Sequence, residues 1–315
     1  MNAKSTILIS AVVLSFSVHG GERDIQHNYP LEKLSANVYV IHGPNEEVTE
    51  QNQGFRNNPV VITTEKGAII VDPGSSVYTG EMVVRKLKEV SEKPVIAVIN
   101  SHGHGDHWLG NHGVKKHFPD VSIYSHPLMK KSIETNGGEM WIKAINQRSN
   151  NAIEGTQVVA PNKTVNEGDE MDFGNITLRV YYKGKAHSDG DIMLEVVQEK
   201  VFLFGDVLRV ENISPFMASL NGNLAALDIG EKTGANIFVP GHGKSGDKRL
   251  INTYRKFLQS LKAEVKNNFE SGLNDFEMKP KIIKAMNGYK DWSGLDENIG
   301  RLINLVYLEV EEESF

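Results

Sequence analysis

A chain of 315 residues, 39% of them hydrophobic, suits one large domain or one domain with an appendage, and argues against wholesale disorder. Acidic residues outnumber basic ones by 40 to 34, the formal charge is -6 and no Lys/Arg-rich block stands out, so nucleic acid is excluded as a first choice of partner. Cysteine is absent, which rules out disulfides, thiolate catalysis and thiolate metal sites, and leaves His and carboxylate as ligands for any metal.

Residues 1–20 read as a targeting segment. Lys4 supplies a positive charge, residues 6–16 form a short apolar stretch, and the pairs Ser15/Ser17 and Val18/Gly20 offer small-residue cleavage sites. The stretch is too short to cross a bilayer as a helix, and no later segment is long and apolar enough. The mature chain is therefore expected to be exported, periplasmic or secreted, with no membrane span.

Residues 37–42 are strand-like, and residues 43–57 form a long polar loop with one aromatic, Phe55. Residues 59–64 and 68–71 are the next strands, stopped by Asp72-Pro73-Gly74. Residues 77–90 have helical spacing, and residues 95–99 are a continuous apolar run of the kind found in a buried strand. A helix is expected to start near Trp108, followed by a strand at 121–124 and a helix over 127–147. Beyond residue 157 four short strands are expected, at 171–173, 176–182, 192–197 and 201–204. A helix over 220–231 and a strand at 237–239 follow, and the chain is helical and charged after Gly243. Two halves of strands followed by helices suit two sheets packed together with helices outside.

The buried run at 95–99 leads straight into His102-Gly103-His104-Gly105-Asp106-His107. Two histidines at i and i+2 can reach one metal from a turn, with Gly103 and Gly105 letting the backbone bend closely around it. Asp106 and His107 can reach a second metal. Three imidazoles and a carboxylate within six residues are costly to gather unless something binds there. Downstream, His187, Asp206 and His242 each stand at the end of a strand-like run. Any one of them alone would be an ordinary turn residue; their joint order is the signal.

This ordered set resembles the metallo-β-lactamase superfamily. The resemblance runs from about Ala36 to the helix after His242, and implies a four-layer αββα sandwich, here with a helical C-terminal extension. The expected organisation is a signal peptide at 1–20, the αββα domain at 21–245 and a helical region at 246–315, part core helix and part extension. By the resemblance, His102, His104 and His187 hold a first Zn2+, Asp106, His107 and His242 a second, and Asp206 bridges both, giving two zinc ions per subunit. Three neutral imidazoles leave one position open for water, and a second ion lowers the pKa of that water enough to give hydroxide at neutral pH. Asp106 would also orient the nucleophile and pass on its proton, making it the catalytic residue. Asp72 resembles the acid that fixes a ligand imidazole's tautomer, and reads equally well as a plain turn residue before Pro73-Gly74.

The family's common β-lactamases carry Cys or Ser where this chain has Asp206. Aspartate there is similar to glyoxalase II and to exported hydrolases associated with sulphur oxidation and quinoproteins. That favours a zinc-dependent hydrolase of an acyl ester, thioester or related carbonyl compound. Two alternatives stay open: a class B-like β-lactamase with Asp in place of Cys or Ser, and a mononuclear iron persulfide dioxygenase. The substrate is expected to be a small molecule. Arg209 either grips an anionic group on it or lies idle at the surface. Phe55, on the loop that resembles the family's flap, is a candidate substrate contact. Asn111 is expected to brace a helix, and His19, His27, His42, His112, His117 and His126 have no partner in the pattern.

Overall fold

The computed structural model describes Ile25 and residues 28–314; the targeting segment read in residues 1–20, with His19 and His27, lies outside them. Two sheets lie face to face. The first has seven strands in sequential order: β1 (Glu32–Lys33), β2 (Val38–Val40), β3 (Val60–Thr63), β4 (Ala68–Val71), β5 (Val95–Ile99), β6 (Ser122–Ser125) and β7 (Lys163–Thr164). Pairing is antiparallel as far as β4 and parallel from β4 to β7. The second sheet holds β8 (Glu170–Asp172), β9 (Thr177–Tyr181), β10 (Met193–Val196), β11 (Val201–Arg209) and β12 (Ile237–His242) in the order β12-β11-β10-β9-β8. There only β11 and β12 are parallel.

Side chains that alternate along each strand divide into two cores. Val60, Ile62, Ile69, Val71, Ala97 and Ile99 point between the sheets and meet Leu178, Val180, Leu194 and Leu203. Their neighbours Val61, Ile70 and Val98 point outward onto α1 (Val77–Leu87), which contributes Val83, Val84 and Leu87, and α3 (Asn111–His117), which contributes Val114. On the other sheet Phe202 and Phe204 point outward beneath α6 (Leu220–Lys232) and α7 (Arg249–Glu270). The layers are therefore helix, sheet, sheet, helix. Two more helices, α8 (Asp275–Ala285) and α9 (Leu295–Glu313), stack on α7 through Met278, Ile282, Leu302 and Val306. Among the described residues no helix is long and apolar enough to cross a membrane.

Two elements differ from the sequence reading. The strand expected to end at residue 204 continues to Arg209, so Asp206 lies within β11 rather than beyond it. The Gly-Asp pair looks like a turn, but β12 runs parallel alongside and irregular pairing around Gly205 carries the strand on. The helix expected over 127–147 is α4 (Pro127–Ser132) and α5 (Gly138–Arg148), joined by one π turn at Ile133–Gly137. With the short helix α2 (Gly105–Trp108), these form a separate small core of Trp108, Leu109, Met129, Ile133 and Ile145 over one end of the sandwich.

Leu261 of α7 is fully buried in the layer between the second sheet and the C-terminal helices. Leu261→Ala should destabilise the fold by about 2–5 kcal/mol, measured by chemical denaturation.

Candidate metal centre

Strand ends gather the site. β4 and β5 run parallel and deliver Asp72 and the Ser101–His107 segment to the same edge. β11 and β12, also parallel, bring Asp206 and His242 there from the second sheet, and the turn after β9 adds His187. The side chains fall into two groups, His102, His104, His187 and Asp206 in one and Asp106, His107 and His242 in the other. Within each group one donor atom per residue lies within 4.8 Å of every other. All seven residues named from the sequence thus converge.

Asp206 stands between the groups. Its Oδ2 is 3.2 Å from His187 Nε2 and its Oδ1 is 3.2 Å from His107 Nε2 and 3.3 Å from His242 Nε2. Asp106 Oδ2 lies 3.3 Å from His242 Nε2. His187 Nε2 and His104 Nδ1 approach to 2.8 Å, and His107 Nε2 and His242 Nε2 to 3.3 Å. Imidazole lone pairs aimed at one another over such distances repel unless a proton or metal cation sits between them. Two of the buried donors, His102 Nε2 and Asp206 Oδ1, have no hydrogen-bond partner. A donor set of nitrogen and carboxylate oxygen, with orphaned atoms pointing inward, fits a zinc-like divalent ion.

Neighbouring groups fix which ring nitrogen is free. Asp72 Oδ2 accepts from His107 Nδ1 (2.8 Å) and from Ser101 Oγ (2.6 Å), and Asp72 Oδ1 accepts from Ser101 N (2.7 Å). Because Ser101 Oγ donates to Asp72, it accepts from His102 Nδ1 at 3.0 Å. His242 Nδ1 donates to the carbonyl of Arg56 (3.0 Å). In His102, His107 and His242 the Nδ1 proton is thereby held and Nε2 left for a metal. Asp72 adopts a φ of 52°, a left-handed backbone that aspartate tolerates and that turns its carboxylate back beneath the histidines. It is buried, and it does more than close a turn.

Burial holds the pKa of His102 and His187 well below the usual histidine range and brings His104 down to about 4, so these three rings are neutral. Burial also opposes charge on His107, but the carboxylates of Asp206, Asp106 and Asp72 outweigh it and hold its pKa well above the usual value. For Asp206 burial disfavours ionisation, yet Arg209 and the histidines around it keep the carboxylate ionised. Asp106 behaves alike, with His107 and His242 overcoming burial. Three neutral imidazoles beside two ionised carboxylates, Asp206 and Asp106, draw in positive charge.

Arg209 is buried rather than at the surface. Its Nη2 donates to Asp206 Oδ2 (2.6 Å) and its Nη1 to Asn212, while its Nε has no partner. Its first task is to balance Asp206. Phe55 is a correction to the sequence reading: it is fully buried, packs edge-on against Tyr29 at 4.8 Å, and belongs to the core under α1. An apolar ring in a polar loop has more to gain from that core than from a wet cleft. The glycines of the motif also differ from expectation. A Cβ on Gly103 would meet only Met129, at 3.9 Å, and a Cβ on Gly105 would strike Trp141 rather than a ligand. Gly241 is the glycine the cluster needs, since a Cβ there would come within 1.9 Å of Asp206 Oδ1. Asn111 braces its helix as expected, trading amide bonds with Asn100 at 2.8 and 3.0 Å.

Other contributors had no signal in the sequence. Asn58 Nδ2 donates to the carbonyls of Pro240 (2.9 Å) and Gly243 (2.7 Å), clamping the turn that carries His242. Asp191 accepts from Ser188 N and Oγ, both at 2.7 Å, which ties down the turn that carries His187. A cavity of about 140 Å³ opens over the cluster, with Arg56, Asp106, Asp206 and Arg209 on its wall and Asn298 of α9 beside them.

The family model of the metallo-β-lactamase superfamily matches residues 53–242, more than half of the chain. The chain belongs to the metallo-β-lactamase superfamily. It is 21% identical over 266 residues to a metallo-β-lactamase type 2 of Bacillus cereus, covering 78% of this chain and 92% of that one. It is 23% identical over 157 residues to a hydroxyacylglutathione hydrolase of Francisella philomiragia subsp. philomiragia, covering 50% and 49%. Among solved structures, a metallo-β-lactamase from Pontibacter korlensis superposes with a TM-score of 0.57 at 20% identity, over 74% of this chain and 99% of that chain. A stereoselective inverting sec-alkylsulfatase from Pseudomonas sp. superposes with a TM-score of 0.67 at 15% identity, over 89% of this chain and 50% of that chain. The two superpositions establish the αββα fold. Superfamily membership and the two His/Asp groups make the protein a metal-dependent hydrolase.

Asp72→Ala should weaken metal binding about 10–100-fold, read by competition with a chromogenic chelator. Arg209→Ala leaves the Asp206 carboxylate buried without its counter-charge. It should cost the metal-free protein about 3–5 kcal/mol in denaturant titration, and restored metal should recover part of that loss.

Proposed function

We propose that the protein is an exported dinuclear zinc hydrolase of an acyl ester, thioester or related carbonyl substrate. The observation that carries the reading is Asp206, whose two carboxylate oxygens face different ligand groups: Oδ2 toward His187 and Oδ1 toward His107 and His242. A carboxylate placed between two histidine clusters is suited to share two cations, with His102, His104 and His187 holding one and Asp106, His107 and His242 the other. When bound, two zinc ions supply Lewis acidity and lower the pKa of water to near neutral.

The chain's own groups prepare the rest. Asp72, Ser101 and the Arg56 carbonyl hold protons on the Nδ1 atoms, so Nε2 is the nitrogen each ring would turn to a metal; on His107, whose pKa the surrounding carboxylates raise, binding would displace a proton from it. Arg209 keeps Asp206 ionised when no metal is present. Asp106 reaches the cavity wall, where its carboxylate would orient an attacking water and take its proton. Arg209 and Arg56, on the same wall, favour a substrate or product that carries negative charge.

A second reading, cleavage of β-lactams, is favoured by the length of the match to the Bacillus cereus metallo-β-lactamase. The hydroxyacylglutathione hydrolase match, together with aspartate at position 206, favours the thioester reading.

Metal content of the purified protein, with hydrolysis assayed on thioesters, esters, lactones, phosphodiesters and a chromogenic cephalosporin, tests these readings together. About two zinc per chain with ester or thioester turnover is the expected result. Turnover of the cephalosporin alone would replace it with the β-lactamase, and one iron per chain without hydrolysis would replace it with persulfide oxidation. Asp206→Ala should lose metal affinity by more than about 100-fold and activity with it; if both persist, Asp206 does not bridge.

A further inference from the structure

Among the described residues six large apolar side chains are exposed: Val90, Leu128, Met140, Phe216, Phe276 and Leu308. Three of the six, Leu128, Met140 and Phe216, line one groove, so the exposure is concentrated rather than scattered. The groove encloses about 670 Å³, against about 140 Å³ for the cavity over the metal ligands. Its volume lies within the roughly 300–1,000 Å³ typical of small-molecule pockets.

The groove and the cavity adjoin. Both are lined by His104, Trp141 and Phe216. The rings of Trp141 and Phe216 flank that of His104 at centroid distances of 5.0 and 5.1 Å, and stand edge-to-face with each other at 6.1 Å. Of the seven ligand residues His104 lines the groove, so the groove reaches the edge of the ligand cluster. One wall comes from the π turn between α4 and α5, through Thr135, Asn136 and Gly137. A π turn is an insertion into a helix that recurs at functional sites.

We propose that this groove receives the aliphatic chain of the substrate, so that the substrate class is a straight-chain acyl compound. The carbonyl lies at the metal ligands, and the chain runs past Trp141 and Phe216 onto Leu128 and Met140. The identity of the head group rests on the hydrolase reading above; the groove and its preference for an alkyl chain do not. A concave surface that reaches a metal ligand, His104, suits a chain attached to the reacting group better than it suits a protein partner, which needs a broad, flat contact.

Isothermal titration calorimetry of the metal-loaded protein with straight-chain carboxylates, from acetate to decanoate, tests the proposal. The Kd should fall with chain length by about two- to fourfold per methylene, the upper factor being that for full burial of one CH2. Met140→Glu and Leu128→Glu, both at exposed positions, should flatten the series. Phe276→Glu, an exposed apolar position on α8 that does not line the groove, should leave it steep. A Kd independent of chain length, or a series equally steep in both groove variants, overturns the proposal. Hydrolysis of acetyl to decanoyl esters, assayed on the same samples, separates the two claims. Turnover with a flat binding series sinks the groove alone, and a steep series without turnover keeps the groove and sinks the ester-hydrolase reading.

Discussion

Several imidazole lone pairs and two carboxylates aimed at one buried space repel one another unless positive charge lies among them. The rest of the site follows from that constraint. Arg209 supplies a fixed charge beside Asp206, and His107 takes up a proton readily because three carboxylates surround it. Neither removes the demand, since His102 Nε2 and Asp206 Oδ1 still point inward without partners. The surroundings keep the geometry from relaxing. Asp72, Ser101 and the Arg56 carbonyl pin the imidazole rings from behind, Asn58 clamps the His242 turn, and Gly241 leaves Asp206 room to stand between the two groups.

The sandwich makes such a cluster possible by holding strand ends rigid. Each sheet is packed on both faces, so the ends of β4, β5, β11 and β12 are fixed by buried aliphatic layers rather than by the loops themselves. What lies over those ends is more individual. The α4–α5 excursion with its π turn, and α9 with Asn298, build the walls around the cluster. The core frame positions the chemistry, and these additions shape what can reach it. The C-terminal helices are thus a packed layer on the second sheet that also touches the site, through Asn298 and through the bond from its Nδ2 to the carbonyl of Ile213.

The ligand set was legible in the chain because ligands are chosen by chemistry. His102 to His107 form a dense motif directly after an apolar run, and His187, Asp206 and His242 each follow a strand-like segment. The buried apolar strands were legible too, with 68–71 and 95–99 observed at the expected bounds. Phe55 misled because its polar loop neighbours hid a core residue, and Gly103 and Gly105 misled because small residues beside ligands need not serve the ligands. Asp206 looked like a turn residue because its place within β11 depends on β12, some thirty residues further along the chain.

The sequence by itself determined the family, the ligand types and the two-sheet plan, since donor atoms and hydrophobic periodicity are local properties of the chain. Only the tertiary structure decided that Asp72 orients His107, that a backbone carbonyl orients His242, that Arg209 is the counter-charge of Asp206, and that Trp141 and Phe216 stand where a small polar cavity meets a larger apolar groove. These are relations between residues as much as 186 positions apart. Burial and direction determine them, and neither is written in any single segment.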